Sequence, residues 1–278
     1  MGSVSIQDFV KAARLGDVET LRAAVARDRS VLDAPDNDGM TALHWAAAVG
    51  QGEVVKYLLR AGASVNPACA EGWTPLMEAV AHGSMKIVRL LLKKGADVRA
   101  CANDGETALM RAVRYPDMVR VLLFHHADVN AVAEDGSTAL MDAASGGHID
   151  TVRQLLEKGV DVNAAKADGK TALICAALGG GSPYEGCVES VRALLDAGAD
   201  INARSKRGWT ALMTAAYYGN DEIVRVLLDA GADAATVDEN GNTALALAIS
   251  ARGHWTRDET AELLRQHAAN DGSTVAAS

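Results

Sequence analysis

The sequence predicts an all-α solenoid of stacked helix-turn-helix units with projecting β-turns, about eight repeats long, and three observations carry that prediction. First, a glycine followed by threonine two residues later and leucine two beyond that recurs, as in Gly39-Met40-Thr41-Ala42-Leu43. The pattern returns at Gly72, Gly105, Gly136, Gly169, Gly208 and Gly241, at intervals of 33, 33, 31, 33, 39 and 33 residues. Second, related phrases close the units: Ala61-Gly62-Ala63-Ser64-Val65-Asn66, Gly95-Ala96-Asp97-Val98, Ala127-Asp128-Val129-Asn130, Gly159-Val160-Asp161-Val162-Asn163, Gly198-Ala199-Asp200-Ile201-Asn202 and Gly231-Ala232-Asp233. Third, 53 alanines and 27 leucines stand against only 4% aromatics, a composition for small, closely packed helices and against an aromatic-centred β-sandwich.

Taken in order, the chain opens with an incomplete unit, Phe9 to Asp33, whose helices center on Ala12-Ala13 and Leu21 and which lacks the turn signature, as an N-terminal cap would. In the next unit Leu43, Ala46 and Ala47 stand at i, i+3 and i+4, a helical stripe that Gly50 ends; Val54, Val55, Leu58 and Leu59 mark a second helix closed by Gly62. Asp38-Gly39, Asp104-Gly105, Asp135-Gly136, Asp168-Gly169 and Asn240-Gly241 supply turn residues that tolerate positive φ. Helices of about eight to ten residues do not persist alone, so each buries its stripe against the next unit. The expected boundaries are a single array over 1–269, with a capping repeat at 5–37, repeats at 38–70, 71–103, 104–134, 135–167, 168–206 and 207–239, and a C-terminal cap at 240–269. The third full repeat is two residues short around Arg114 to Asp117. The fifth carries a six-residue insertion within Gly179 to Cys187, and the last is lengthened through Arg252 to Arg257. A polar final helix, Asp258 to His267, is expected to stop the stacking and keep the chain monomeric, and 270–278 reads as a disordered tail.

Asp38-Gly39-Met40-Thr41-Ala42-Leu43-His44-Trp45-Ala46-Ala47 and Gly72-Trp73-Thr74-Pro75-Leu76-Met77-Glu78-Ala79 resemble ankyrin repeats, over nearly the whole chain. The resemblance implies a curved right-handed stack whose turns and first helices line a concave face. The family's proline after the threonine stands here only as Pro75, and its histidine after the leucine only as His44; Met77, Met110, Met141 and Met213 take the histidine slot elsewhere, where repeat stacking makes them core residues. By the same resemblance Asn66, Asn130, Asn163 and Asn202 occupy positions at which family members can be hydroxylated.

Several functions are disfavoured. With 27 Lys+Arg against 36 Asp+Glu, the net charge of −9 opposes duplex nucleic acid and anionic membranes. No run approaches a membrane span, and no secretory leader is legible. Cys69, Cys101, Cys175 and Cys187 are too few and scattered for a disulfide framework, so an intracellular, cytoplasmic setting with free thiols is expected. Asp168-Gly169-Lys170-Thr171 imitates the end of a phosphate loop, but the earlier glycine is Ala164. No zinc spacing, nucleophile elbow or assembled triad appears, so neither catalysis nor a metal or cofactor is expected.

Function is therefore sought where the architecture leaves residues free. Tip positions hold Met40, Trp73, Glu106, Ser137, Lys170, Trp209 and Asn242. Two residues past the leucine come Trp45, Glu78, Arg111, Asp142, Cys175, Thr214 and Leu247, and the first helices end near Tyr115, Tyr217 and Tyr218. Scarce aromatics concentrated on these rows suggest anchors, because Trp and Tyr bury much area at little rotamer cost. The expected partner-binding residues are Trp45, Trp73, Glu78, Arg111, Tyr115, Asp142, Trp209, Tyr217 and Tyr218, gripping a protein or peptide. Glu78, Arg111 and Asp142 alternate in sign and equally suit an ion-pair ladder between stacked helices. The alternative is a sensor for a small nucleotide or oligoadenylate-like ligand, since Gly72 to Leu76 and Thr138 to Ala144 are similar to segments of oligoadenylate-sensing ankyrin arrays. On that reading Trp73 and Tyr115 would stack bases, with Arg111 or Arg114 near phosphate.

Overall fold

The computed structural model describes residues 5–179, 185–250 and 257–270, and divides the chain into two compact units, Met1–Glu134 and Asp135–Ser278. Most of the insertion, the lengthened stretch before Arg257 and the tail beyond Asn270 lie outside the described residues. All regular structure among the described residues is helical apart from two isolated bridges, Cys101 with Thr107 and Ala165 with Thr171.

In the first unit, α1 (Ile6–Leu15) and α2 (Val18–Arg27) form the opening pair, followed by a 3-10 turn over Arg29–Leu32. Then come α3 (Ala42–Ala48) and α4 (Gly52–Ala61), α5 (Pro75–Ala81) and α6 (Met85–Lys93), and α7 (Ala108–Arg111) and α8 (Pro116–Phe124). The first helices α1, α3, α5 and α7 pack in succession, and each packs on its own second helix. The shortened repeat shows its deletion as a one-turn α7 of four residues, ended where Tyr115 and Pro116 start the next helix. The second unit repeats the arrangement with α9 (Ala139–Ser145), α10 (Ile149–Glu157), α11 (Ala172–Ala177), α12 (Glu185–Asp196), α13 (Ala211–Tyr218), α14 (Asp221–Asp229), α15 (Ala244–Ser250) and α16 (Arg257–Asn270).

The repeated threonine and leucine explain these helices. Thr74, Thr107, Thr138, Thr171 and Thr210 are N-caps whose hydroxyls accept the backbone N–H three residues on, satisfying a donor that has no partner inside the helix. The leucines that follow (Leu43, Leu76, Leu109, Leu140, Leu173, Leu212) are buried, each contributing about 2 kcal/mol of apolar burial. Met77, Met110, Met141 and Met213 are buried as well, which bears out the core reading.

The turns project as hairpin-like tips, most of them closed across the mouth; Cys69 N–H donates to Trp73 C=O at 2.9 Å, and Lys166 N–H to Lys170 C=O at 2.9 Å. Successive tips are tied by one backbone hydrogen bond. Ala70 donates to Asp38, Asn103 to Glu71 and Glu134 to Asp104 in the first unit; Ala167 donates to Asp135, Lys206 to Asp168 and Glu239 to Arg207 in the second, at 2.8–3.1 Å. The tip glycine sits at positive φ directly against the next tip: a Cβ on Gly136 would lie 2.7 Å from the backbone nitrogen of Ala167. Only a hydrogen fits there.

From α4 to α14 the second helices are followed by a left-handed residue, glycine at 62, 95, 159, 198 and 231, but His126 in the third full repeat, with φ 66°. A Cβ in that conformation is disfavoured. His126→Gly is expected to stabilise the protein by about 1 kcal/mol, read as a raised unfolding midpoint; a lowered midpoint would show that the imidazole contributes more than the backbone loses.

Candidate partner-binding surface

In the first unit the expected anchors are already engaged by neighbouring residues. Trp45 is half-buried on α3; its indole N–H donates to Asp36 Oδ2 at 2.7 Å, and the Arg14 guanidinium lies 4.4 Å over the ring. Trp73 stands at the tip before α5, beneath the Arg111 guanidinium at 4.7 Å, while Arg111 itself pairs with Glu106. Trp73 and Arg111 thus form one composite surface of cation over ring rather than two separate contacts. Tyr115 is half-buried, its phenol packed on Gly83, where an added Cβ would meet the ring at 3.2 Å.

Charge pairing in this unit is made within repeats. Arg111 pairs with Glu106, and the side chain beside the Glu78 carboxylate is His82, with Nδ1 3.8 Å away. The Glu78 side chain is only 13% exposed, and burial raises its pKa above the ordinary value, offset in part by His82. A fully buried bridge ties the tips to the helices: His44 Nδ1 accepts the Thr41 N–H at 3.0 Å, so Nε2 carries the proton and donates to Trp73 C=O at 2.9 Å. Burial holds this imidazole below its ordinary pKa, against the Trp73 carbonyl and the Asp36 carboxylate, which favour charge.

In the second unit three rings meet. Trp209 lies edge-on to Tyr217 with centroids 5.2 Å apart, and Tyr217 edge-on to Tyr218, again at 5.2 Å. Such edge contacts suit the ring quadrupoles. The Trp209 backbone is locked, its N–H on Ser205 Oγ at 3.1 Å and its C=O accepting Ser205 N–H at 2.9 Å, and its indole hydrogen-bonds Asp238. Tyr218, at the end of α13, is 50% exposed. Lys170 lies within electrostatic reach of Tyr218 and pairs with Asp168 at 2.8 Å, a bond that raises its pKa. Asp142 is half-buried on α9. Cys175 and Thr214, from the same row, are buried, and desolvation pushes the Cys175 thiol to about 11, leaving it a core residue.

The imitation of a phosphate loop resolves into ordinary repeat parts: Lys170 on Asp168, and Thr171 as the cap of α11, accepting Ile174 N–H at 3.5 Å. Among the described residues no group of His, Cys, Asp and Glu is placed to hold a metal, and no helix is long and apolar enough to cross a membrane. Arg14, Asp36 and Asp238 also belong to the aromatic clusters, and sequence reasoning missed them. They stand 31, 9 and 29 positions from their tryptophans, and no local spacing marks them.

A family model described as ankyrin repeats (3 copies) matches the chain at residues 9–69, 65–133, 115–205 and 182–274. The chain is 38% identical over 65 residues to the human (Homo sapiens) 26S proteasome non-ATPase regulatory subunit 10, covering 23% of this chain and 29% of that protein. It is 40% identical over 55 residues to the palmitoyltransferase akr1 of Schizosaccharomyces pombe, covering 20% of this chain and 9% of that protein. The chain therefore spans less than a third of these relatives.

Proposed function

The chain belongs to the ankyrin-repeat family, whose repeats generally mediate protein–protein interaction, and from that premise we propose that it is a non-enzymatic adaptor binding a protein or peptide partner through its tips and first helices. The observation that carries the proposal is the Trp209–Tyr217–Tyr218 cluster, a preorganised aromatic surface with its outermost ring half-exposed. Trp209 braces Tyr217, which braces Tyr218, so a partner would gain aromatic burial at little ordering cost. In the first unit Trp73, Arg111 and Glu106 offer a second patch that is both aromatic and charged, suited to a polar rim.

The alternative, a nucleotide sensor, fits these contacts less well. Arg111 covers a face of Trp73 and Gly83 packs on Tyr115, so base stacking would have to displace existing contacts, while Glu106 beside Arg111 repels phosphate. Quantitative pull-down from a lysate of the source organism, with wild type and Tyr218→Ala, Trp209→Ala as bait, tests the proposal. A specific partner retained by wild type and weakened about 30-fold by the double variant is expected, as for interface hot spots. Equal retention by an equally stable variant sinks the role of this cluster.

A further inference from the structure

The second helices of the first unit carry a feature that the concave-face reading does not use. In α4 and α8 an acidic residue one turn ahead neutralises the central base: Glu53 pairs with Lys56 at 2.6 Å and Asp117 with Arg120 at 3.0 Å. The equivalent position in α6 is Lys86. As a result Lys86, Arg89 and Lys93 form one exposed stripe, and no carboxylate among the described residues lies within ion-pair reach of any of them. Like charges three and four residues apart on a helix destabilise it. Elsewhere the same architecture avoids this: Arg153 and Arg225, in the slot of Arg89, reach Glu189 and Glu259 of the following repeat at 3.2 and 2.7 Å.

An independent departure lies one repeat further on. The last position of α8 is Phe124, 78% exposed, in a slot held by Arg60, Lys93, Glu157, Asp196 and Asp229 in the other repeats. Among the described residues the Phe124 ring has one edge contact, with the neighbouring His125 at 5.5 Å between centroids, which leaves most of its apolar surface in water, and the stripe of unpaired cations costs the chain stability. Both departures become favourable only when something covers them.

We propose that this second-helix face, Arg60, Lys86, Arg89 and Lys93 with Phe124 at its edge, docks an acidic peptide segment of a protein partner that sets an apolar side chain against Phe124. Charge complementarity selects an anionic occupant, and the apolar ring at its edge selects one that sets a hydrophobic side chain beside its charges, as an acidic peptide does. A second copy of this chain is a poorer match: its acidic second-helix row, Glu157, Asp196 and Asp229, has no apolar residue to meet Phe124. An anionic bilayer is disfavoured by the chain's net charge of −9.

Selection of phage-displayed random peptides on the full chain at low salt, followed by titration of an enriched peptide by fluorescence anisotropy, tests the proposal. Peptides with aspartate or glutamate flanking an aromatic or large aliphatic residue are expected. Their affinity should fall about 30-fold with Lys86→Glu, Arg89→Glu, Lys93→Glu and about tenfold with Phe124→Ser, and weaken steeply with added salt. It should be unchanged by Tyr218→Ala, so this surface and the aromatic one stand or fall separately. The neutral triple variant Lys86→Gln, Arg89→Gln, Lys93→Gln should also weaken binding, which separates attraction lost from repulsion introduced. No enrichment, enrichment of peptides without acidic residues, or full binding by the neutral variant overturns the proposal. So does self-association, or co-sedimentation with phosphatidylserine-containing vesicles, that the neutral variant abolishes, since either assigns the face to a different occupant.

Discussion

Gly136→Ala is expected to lower the stability of the protein by about 3 kcal/mol, while Gly241→Ala lowers it by only about 1 kcal/mol. The two glycines have nearly the same conformation, φ 82° and 79°, so the backbone penalty on an added Cβ is shared. They differ in what that Cβ meets. At Gly136 it would sit 2.7 Å from the nitrogen of Ala167 and 2.8 Å from the Cα of Lys166, and both are backbone atoms that cannot swing aside. Relieving the clash pushes the neighbouring tip away and strains the Ala167 to Asp135 hydrogen bond of 2.8 Å. At Gly241 nothing lies within 4 Å. Thermal unfolding followed by circular dichroism should show a midpoint about 6–10 °C lower for Gly136→Ala and about 2–4 °C lower for Gly241→Ala. Equal losses would mean that the glycines are required for φ alone and that contact between tips contributes nothing.

His44→Met is expected to cost about 2–3 kcal/mol, although methionine is the residue this slot accepts at positions 77, 110, 141 and 213. The substitution keeps an apolar side chain of similar reach in a buried site and removes the two hydrogen bonds that join Thr41 to Trp73 across successive repeats. The pH dependence reports the burial of the imidazole, since burial is what holds its pKa down. The folded pKa of His44 lies below its ordinary value of 6.5, so the unfolded chain takes up this proton first as pH falls. His44 therefore contributes its full share of stability above about pH 6.5 and loses it progressively as pH drops from there toward the folded pKa. Unfolding midpoints of wild type and His44→Met should converge over that interval. Parallel curves would show that the folded imidazole binds its proton as readily as the unfolded one, and that burial does not depress it.

The helices were legible in the sequence because each repeat states its local physics in order: a glycine that can take positive φ, a threonine that caps, a leucine that is buried. Periodicity and capping are short-range, and they recur often enough to be read against one another. The clusters on the rows proposed for binding were legible only in part. Trp73, Arg111 and Trp209 could be placed on a row by register, yet that Arg111 covers Trp73, or that Arg14 covers Trp45, depends on side chains dozens of residues apart choosing among rotamers. The Glu78–Arg111–Asp142 alternation suggested a ladder because register places these slots side by side. In the first unit Arg111 finds Glu106 in its own repeat instead, a shorter reach along the tip. Phe124 and His126 carried a signal that was available: each breaks its column when the second helices, not only the first, are aligned.

The tip-to-tip hydrogen bonds have a consequence for how this molecule can change over time. Each bond runs between main-chain atoms, and the tips are held by their glycine, by the capping threonine and in most cases by a closing N–H, so the backbone of the tip does not depend on which side chain stands between glycine and threonine. That one position is Met, Trp, Glu, Ser, Lys, Trp and Asn in successive tips. On the proposed reading, in which a partner meets the tips, the alphabet in which the chain is built is separate from the alphabet in which it is read, and recognition can drift, one letter per repeat, without the scaffold having to be reinvented.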